Sequence, residues 1–227
     1  MKISIITLFP EVFDPILNTS ILKRAQQKAK VTFELINLRD FGEGKHKVVD
    51  DRPYGGGAGM VLKPDILAKA LTQIIKISRS KKNDVTLLMS ASGKPYKQTR
   101  AKQLSKLDHI IIICGHYEGV DQRFIDKYVD EEISIGDYIL TGGEIPAMAI
   151  VDSIVRLLPG VLEKPEATVN ESFSDGLLEY PQYTRPEIFE GKKIPKILLS
   201  GNHAEISKWH KQKSLEKTRK VRLDLLR

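Results

Sequence analysis

Five apolar runs punctuate the first 140 residues: KISIITL, VTFELINL, DVTLLM, HIIIICG and EEISIGDYIL. Each is rich in β-branched residues and ends at Pro, Gly, Asp or Ser, which predicts a strand. The intervening segments carry helical periodicity over roughly 12–29, 64–79, 95–107, 121–129 and 143–158. Strand and helix alternate, so the pattern predicts an α/β fold with a mostly parallel sheet covered by helices. Such sheets collect ligands in the loops beyond the carboxyl ends of their strands, here LLMSASG, CGHYEG and ISIGDYILTGGE. The alternation stops at Gly160. GVLEKPEATVNESFSD holds turn formers and scattered charge without an apolar period, and is predicted to be a linker or lid. Prolines then punctuate EYPQYTRPEIFEGKKIPKILLSGNH, before an amphipathic basic helix in HAEISKWHKQKSLEKTRK. The predicted organisation is a sheet domain over 1–159, a flexible linker over 160–175 and a small basic helical domain over 176–227.

Charge sharpens the last of these. The chain of 227 residues has a formal charge of +7, yet the stretch from residue 192 onward holds eleven Lys and Arg against Glu205, Glu216 and Asp224, a local +8 that leaves −1 for the rest. A surface of that sign faces a polyanion or is simply well solvated. No run of about 18 apolar residues is present, and Pro10, Glu11 and Asp14 interrupt the opening segment as a signal peptide, so a cytoplasmic location is expected. Cys114 is the single cysteine, which excludes an intrachain disulfide and a thiolate cluster; within HIIIICG it reads as a small buried hydrophobe. The histidines His46, His109, His116, His203 and His210 lack metal-ligand spacing, so no zinc site is expected.

Three glycine-rich stretches are the candidates for chemistry. Asp50 to Met60 reads DDRPYGGGAGM, with Gly55, Gly56, Gly57 and Gly59 in five positions. It matches neither the phosphate-binding G-x-x-x-x-G-K-[ST] nor the dinucleotide G-x-G-x-x-G, which argues against a nucleotide triphosphatase. Glycine permits positive φ and close backbone approach, so this loop suits a bulky planar or phosphate-bearing partner with Arg52 as a bidentate donor; a flexible surface turn is the alternative. In CGHYEGVDQR, Gly115 and Gly119 bracket His116, Tyr117 and Glu118 in a turn that presents backbone groups to a ligand, with Asp121 capping the next helix. ISIGDYILTGGEIPAM breaks at Gly136, resumes as DYIL, and breaks again at Gly142 and Gly143 before a helix with Glu144 and Pro146 in its first turn. Two breaks around an apolar patch suit a bound adenine, or a helix entry alone. Arg156, late in that helix, fits the neutralising of its C-terminus.

Taken together, DDRPYGGGAGM, CGHYEGVDQR, SIGDYILTGGEIPAMAIVDSIVRLLPGV, GLLEYPQYTRP and LLSGNHAEISKWH resemble the bacterial tRNA (guanine-N1)-methyltransferases, the TrmD family, in order and over nearly the whole chain. The resemblance implies a SPOUT-type fold with a deep trefoil knot, where periodicity alone predicts an ordinary open α/β sheet. It also implies a homodimer with a shared active site, in which the C-terminal domain of one subunit places tRNA over the cofactor of the other. That cofactor is S-adenosylmethionine, expected against Met89, Ser90, Gly115, Tyr117 and Glu118, along Ile135, Gly136, Asp137, Tyr138, Ile139 and Leu140, and beside Gly142, Gly143 and Pro146. Leu88 and Ala91 stand where the family often has Tyr and Pro. The loop Asp50, Asp51, Arg52, Gly55, Gly56, Gly57 and Gly59 is expected to grip the anticodon stem-loop and the flipped guanine, together with Ser172.

The chemistry implied is methyl transfer to N1 of guanosine at tRNA position 37. Guanine N1 is protonated and a poor nucleophile at neutral pH, so a carboxylate base and a cationic donor at O6 are the minimum. The resemblance assigns O6 to Arg156 and the base to Glu171, in Glu171-Ser172-Phe173, where the family usually has aspartate. Mg2+ enters without a dedicated protein site. Two other readings stay open on the residues alone: an RNA-binding protein that has kept the fold without the activity, and a nicotinamide-dependent oxidoreductase, disfavoured by the lack of a strand–GxGxxG–helix unit.

Overall fold

The structure, a computed structural model, describes residues 1–77, 83–164, 168 and 171–226. The chain divides into two compact units, Met1–Glu163 and Lys164–Arg227. The first is built on five parallel strands: β1 (Lys2–Thr7), β2 (Thr32–Asn37), β5 (Asp84–Pro95), β6 (His109–Cys114) and β7 (Glu131–Ser134), in the order β2-β1-β6-β5-β7. Every residue of β6 is buried, which is why HIIIIC is an unbroken apolar run rather than an alternating one. Ile110, Ile112 and Cys114 join the core on one face with Ile150, Val151, Ile154 and Val155 of α6 (Glu144–Val155). Ile111 and Ile113 join the core on the other with Ile66, Leu67, Leu71 and Ile74 of α3 (Pro64–Ile77) and Phe124 of α5 (Gln122–Tyr128). The remaining helices of this unit are α1 (Asp14–Leu17), α2 (Ser20–Gln27) and α4 (Gln98–Leu104), and a short antiparallel pair joins β3 (Asp50–Asp51) to β4 (Val61–Leu62).

Three sequence expectations are corrected. The helix expected over 12–29 is broken into a 3-10 turn at Pro10–Val12, α1 and α2, because Asn18 and Thr19 leave helical geometry and Ser20 sits at φ 49°. The strand expected through DYIL ends at Ser134: the Tyr138 N–H bonds back to the Gly136 carbonyl at 3.0 Å, closing a tight turn instead of a ladder. Strand β5 extends past DVTLLM by a bulge at 90–93, since both Met89 and Lys94 pair with Ile133. Residues 78–79 of the helix expected over 64–79, and 165–167 and 169–170 of the expected linker, lie outside the described residues.

A buried polar cluster occupies the amino ends of these strands. The Ser4 hydroxyl donates to Glu34 Oε2 at 2.7 Å and therefore accepts at 2.9 Å from Nε2–H of His109, itself only 3% exposed. Burial, reinforced by the Lys2 charge, holds the His109 imidazole below its ordinary range against the opposing pull of Asp84 and Glu34. A depressed folded pKa means that the unfolded chain takes up the proton first. Stability is thus full above the ordinary imidazole value, roughly 6.5, and falls as pH drops through the lower folded value. Urea unfolding between pH 7.5 and 5.5 should show this decline, and His109→Gln, which keeps a donor for Ser4, should flatten it.

The second unit carries the β8 (Ile188–Phe189) and β9 (Lys192–Lys193) hairpin and α7 (His203–Val221), capped by Asn202, whose side chain accepts from the Glu205 N–H. Thr218 on the buried face of α7 accepts from the Leu178 N–H at 2.9 Å, tying the preceding irregular segment to the helix.

Candidate functional site

A cleft of about 540 Å³ opens where β5, β6 and β7 end and α6 begins. From β5 it receives Met89 and Ser90, and from the bulge Ala91 and Ser92; the Ser90 and Ser92 hydroxyls are 2.8 Å apart. The bulge lies tight on β7, since a Cβ on Gly93 would meet the backbone of Glu132 and Ile133 at 2.5 Å. From the turn after β6 come Gly115, His116, Tyr117 and Glu118, with Tyr117 in the left-handed region at φ 59°. A bulky residue held there stores strain of the kind found at ligand sites. From the turn after β7 come Ile135, Gly136, Tyr138, Ile139 and Leu140, while Asp137 is absent from the lining. Gly142, Gly143 and Pro146 close the wall.

The two turns lock together through glycine. The Gly143 N–H donates to the Gly115 carbonyl at 2.8 Å, and His116 and Gly142 form an isolated antiparallel bridge. A Cβ on Gly143 would lie 2.7 Å from Cys114 Cα and 2.9 Å from Gly115 N, so only glycine allows the crossing. The first residue of α6, Glu144, is buried, and its Oε1 accepts from Thr7 Oγ1 at 2.8 Å. Complete burial, together with the neighbouring Glu144 charge, pushes the Cys114 thiol well above its usual range, which makes it inert as a nucleophile.

DDRPYGGGAGM is the tip of the β3–β4 hairpin, with Asp50 opposite Leu62 and Asp51 opposite Val61. Gly55, Gly56, Gly57 and Gly59 all have positive φ, and Tyr54 at the tip is 99% exposed. The hairpin is fastened to the turn after β6: the Glu118 N–H donates to the Met60 carbonyl at 2.9 Å and the Leu62 N–H to the Gly119 carbonyl at 3.0 Å. The Glu118 side chain occupies the space that a Cβ on Gly59 would need. At the far end of α6, Arg156 is the half-buried C-cap residue.

Glu171 lies in the second unit, in a turn closed by the Ser174 N–H to its carbonyl at 3.1 Å, with Phe173 at φ 72°. Ser172 Oγ accepts from the Glu179 N–H at 2.9 Å. Glu171 and Asp175 line a second cleft of about 280 Å³ with Tyr180 and His210, whose rings stack 3.6 Å apart.

Comparison with known proteins is decisive about ancestry. The family model described as tRNA (Guanine-1)-methyltransferase TrmD matches residues 1–227. The chain belongs to the TrmD family. The tRNA (guanine-N(1)-)-methyltransferase of Anoxybacillus flavithermus is 53% identical over 226 residues, covering 100% of this chain and 91% of the relative. That of Caldanaerobacter subterraneus subsp. tengcongensis is 53% identical over 227 residues, covering 100% and 92%, and that of Bacillus pumilus 50% over 226 residues, covering 100% and 92%. In this TrmD chain the structure gathers into one cleft every residue expected around the cofactor except Asp137. The sequence singled out neither Ser92 and Thr141 in the lining nor Gly93 beneath it. Gly93 was the legible one of these, as a glycine inside a strand signals a bulge.

Proposed function

We propose that this TrmD-family enzyme transfers the methyl group of S-adenosylmethionine to N1 of guanosine 37 in tRNA, where position 36 is also guanosine. The observation that carries the reading is the glycine-locked cleft beside α6 in a chain matched by the family model from end to end. Its size and lining fit the cofactor: apolar Ile135, Ile139 and Leu140 offer a surface for adenine, and the turn backbones offer donors and acceptors for its edge. Bound S-adenosylmethionine supplies an electrophilic sulfonium methyl. Glu171 takes the N1 proton of the target guanine, and Arg156 donates to O6 as negative charge spreads there. Asp50, Asp51, Arg52 and the glycines at the hairpin tip hold the anticodon loop, and Ser172 orders the turn that presents Glu171.

In this reading residues 1–159 form a SPOUT domain with a trefoil knot, 160–175 the linker and 176–227 the tRNA-binding domain. The crossing of Gly142 and Gly143 over the end of β6 supports such threading. Exposed Tyr138, Ile139 and Ile145 beside the cleft support a homodimer in which the partner covers them. Mg2+, where the reaction takes it, would be held by RNA oxygens without a dedicated protein site. No helix among the described residues is long and apolar enough to cross a membrane, in keeping with work on tRNA in the cytoplasm.

Labelled S-adenosylmethionine with a tRNA transcript carrying G36 and G37 tests this. Label in the RNA that disappears on changing G37 to A is the expected result; tRNA binding without label indicates an inactive RNA-binding protein, and no affinity for tRNA overturns the reading. Lys192 and Lys193 are exposed on the β8–β9 hairpin beside Phe189. Changing both to glutamine should weaken tRNA binding whatever its sequence and reduce the slope of log affinity against log salt by up to about two.

A further inference from the structure

We propose that Thr218 of α7 is a positioning residue for the base, its hydroxyl holding the segment 177–179 and, through it, the turn that carries Glu171. The inference rests on the reading of Glu171 as the base. It starts from the face that α7 buries. An amphipathic helix ordinarily hides apolar side chains, yet the buried residues of α7 are Ser214 and Thr218. Thr218 is 0% exposed, and a hydroxyl so enclosed costs stability unless it is hydrogen-bonded. It donates to the Ser214 carbonyl at 2.7 Å, which commits its single proton and leaves the oxygen to accept from the Leu178 N–H at 2.9 Å. What α7 buries at this point is the backbone of another segment, and an acceptor is what that backbone N–H requires.

The bonds of Leu178 and its two neighbours lead to the base. The Leu177 carbonyl accepts from the Phe173 N–H at 2.8 Å, and the Glu179 N–H donates to Ser172 Oγ at 2.9 Å. Both residues that follow Glu171 are thereby pinned to the residues on either side of Leu178. The Ser174 N–H closes the turn on the Glu171 carbonyl at 3.1 Å, so the Glu171 backbone has little freedom once Leu178 is fixed. Two other contacts tie the segment to the same helix: Tyr180 stacks on His210, and Lys217 Nζ donates to the Glu179 carbonyl at 3.1 Å. His210, Ser214 and Thr218 follow one another at four-residue spacing along one helical face. The lysine bond is exposed to water, whereas the Thr218 oxygen is enclosed, so its loss leaves the Leu178 N–H without that acceptor and lets the segment shift. A base must lie within hydrogen-bond reach of the proton it takes, and a displacement of about 1 Å can cost on the order of a hundredfold. The exposed basic side of α7 suits RNA, while its buried hydroxyl side aims the carboxylate.

Single-turnover methyl transfer by the full chain, at saturating tRNA and S-adenosylmethionine, tests this together with tRNA affinity. Thr218→Val keeps the shape of the side chain and removes the acceptor. Its rate constant should fall by about tenfold to a hundredfold, with tRNA affinity close to wild type. Thr218→Ser restores the hydroxyl and should recover most of the rate. In a Glu171→Gln background, Thr218→Val should cause no further loss, because a residue that acts through the carboxylate has nothing left to aim. A residue that only stabilises the fold would lower the rate by the same factor in both backgrounds. The inference is overturned by a valine variant with the wild-type rate, by an equal loss in the glutamine background, by a serine variant no better than the valine one, or by a loss confined to tRNA affinity. Should the valine chain not fold, Ser172→Ala decides, since it cuts the same path at the Glu179 bond. It must slow transfer in the wild-type background and be silent in the glutamine one, and any other result overturns the inference. A Glu171→Gln chain with wild-type turnover overturns the base reading itself, and this inference with it.

Discussion

Glu171→Gln is expected to lower methyl transfer by about a hundredfold to ten-thousandfold, the usual worth of a positioned general base. Cofactor affinity should change little, because Glu171 belongs to the second unit whereas the cleft proposed for the cofactor is lined wholly by residues of the first. Arg156→Ala should cost about a hundredfold to a thousandfold by removing the proposed donor at O6, again with cofactor binding nearly intact. The informative variant is Glu171→Asp. Aspartate keeps the carboxylate and sheds one methylene and one torsion, so its aim is better defined, and activity should be retained or raised. Single-turnover transfer of label, with calorimetry of the cofactor alone, separates chemistry from binding. An aspartate variant as inactive as the glutamine one would place the base elsewhere, with Asp175 in the same cleft the first alternative.

Gly143→Ala is expected to disturb the core and the cleft together. Its φ is an ordinary −82°, so backbone strain is not the cause. The cause is contact: the new Cβ would sit 2.7 Å from Cys114 Cα, 2.9 Å from Gly115 N and 3.0 Å from Met89 Cβ. Two of those atoms are main chain in or next to the central strand β6, and neither can swing aside. Either α6 withdraws from β6, opening the core around Ile150 and Ile154, or the Gly143–Gly115 bond breaks and the cleft loses its wall. Overpacking of this kind costs about 3 kcal/mol at the upper end of the usual range, and more where backbone must move. The expected result is a drop in melting temperature of several degrees together with loss of S-adenosylhomocysteine binding. Gly55→Ala is the control. Nothing lies within 4 Å of the Cβ it adds, so it should leave both measurements close to wild type apart from the strain of its positive φ.

The contrast between these two glycines shows how much of the site was legible. All the glycines in DDRPYGGGAGM and TGGE stood out as breaks in periodicity, and Asp121 was recognisable as a helix cap, which it is, accepting from the Arg123 N–H at 2.9 Å. What each glycine is for was not legible. Gly55, Gly56 and Gly57 serve backbone torsion at an exposed tip, whereas Gly142 and Gly143 serve contact with a segment distant in the chain, as the Gly143–Gly115 and Gly142–His116 pairs demonstrate. His116 illustrates the same limit. Its spacing from other histidines gave no reason to expect zinc, but no local pattern pairs it with Gly142.

By itself the chain's pattern determined a parallel α/β sheet, the order of its elements, the carboxyl-end turns where a ligand would bind, and the basic character of the final helix. These follow from local physics, since apolar period, β-branching and turn chemistry act within a few residues. Only the tertiary structure decided that DYIL turns back instead of pairing, that β5 bulges around Gly93, and that the glycine hairpin is bolted to Glu118 and Gly119. Each of those depends on which backbone atoms of distant segments come within hydrogen-bond or contact range, and a one-dimensional pattern does not encode that distance.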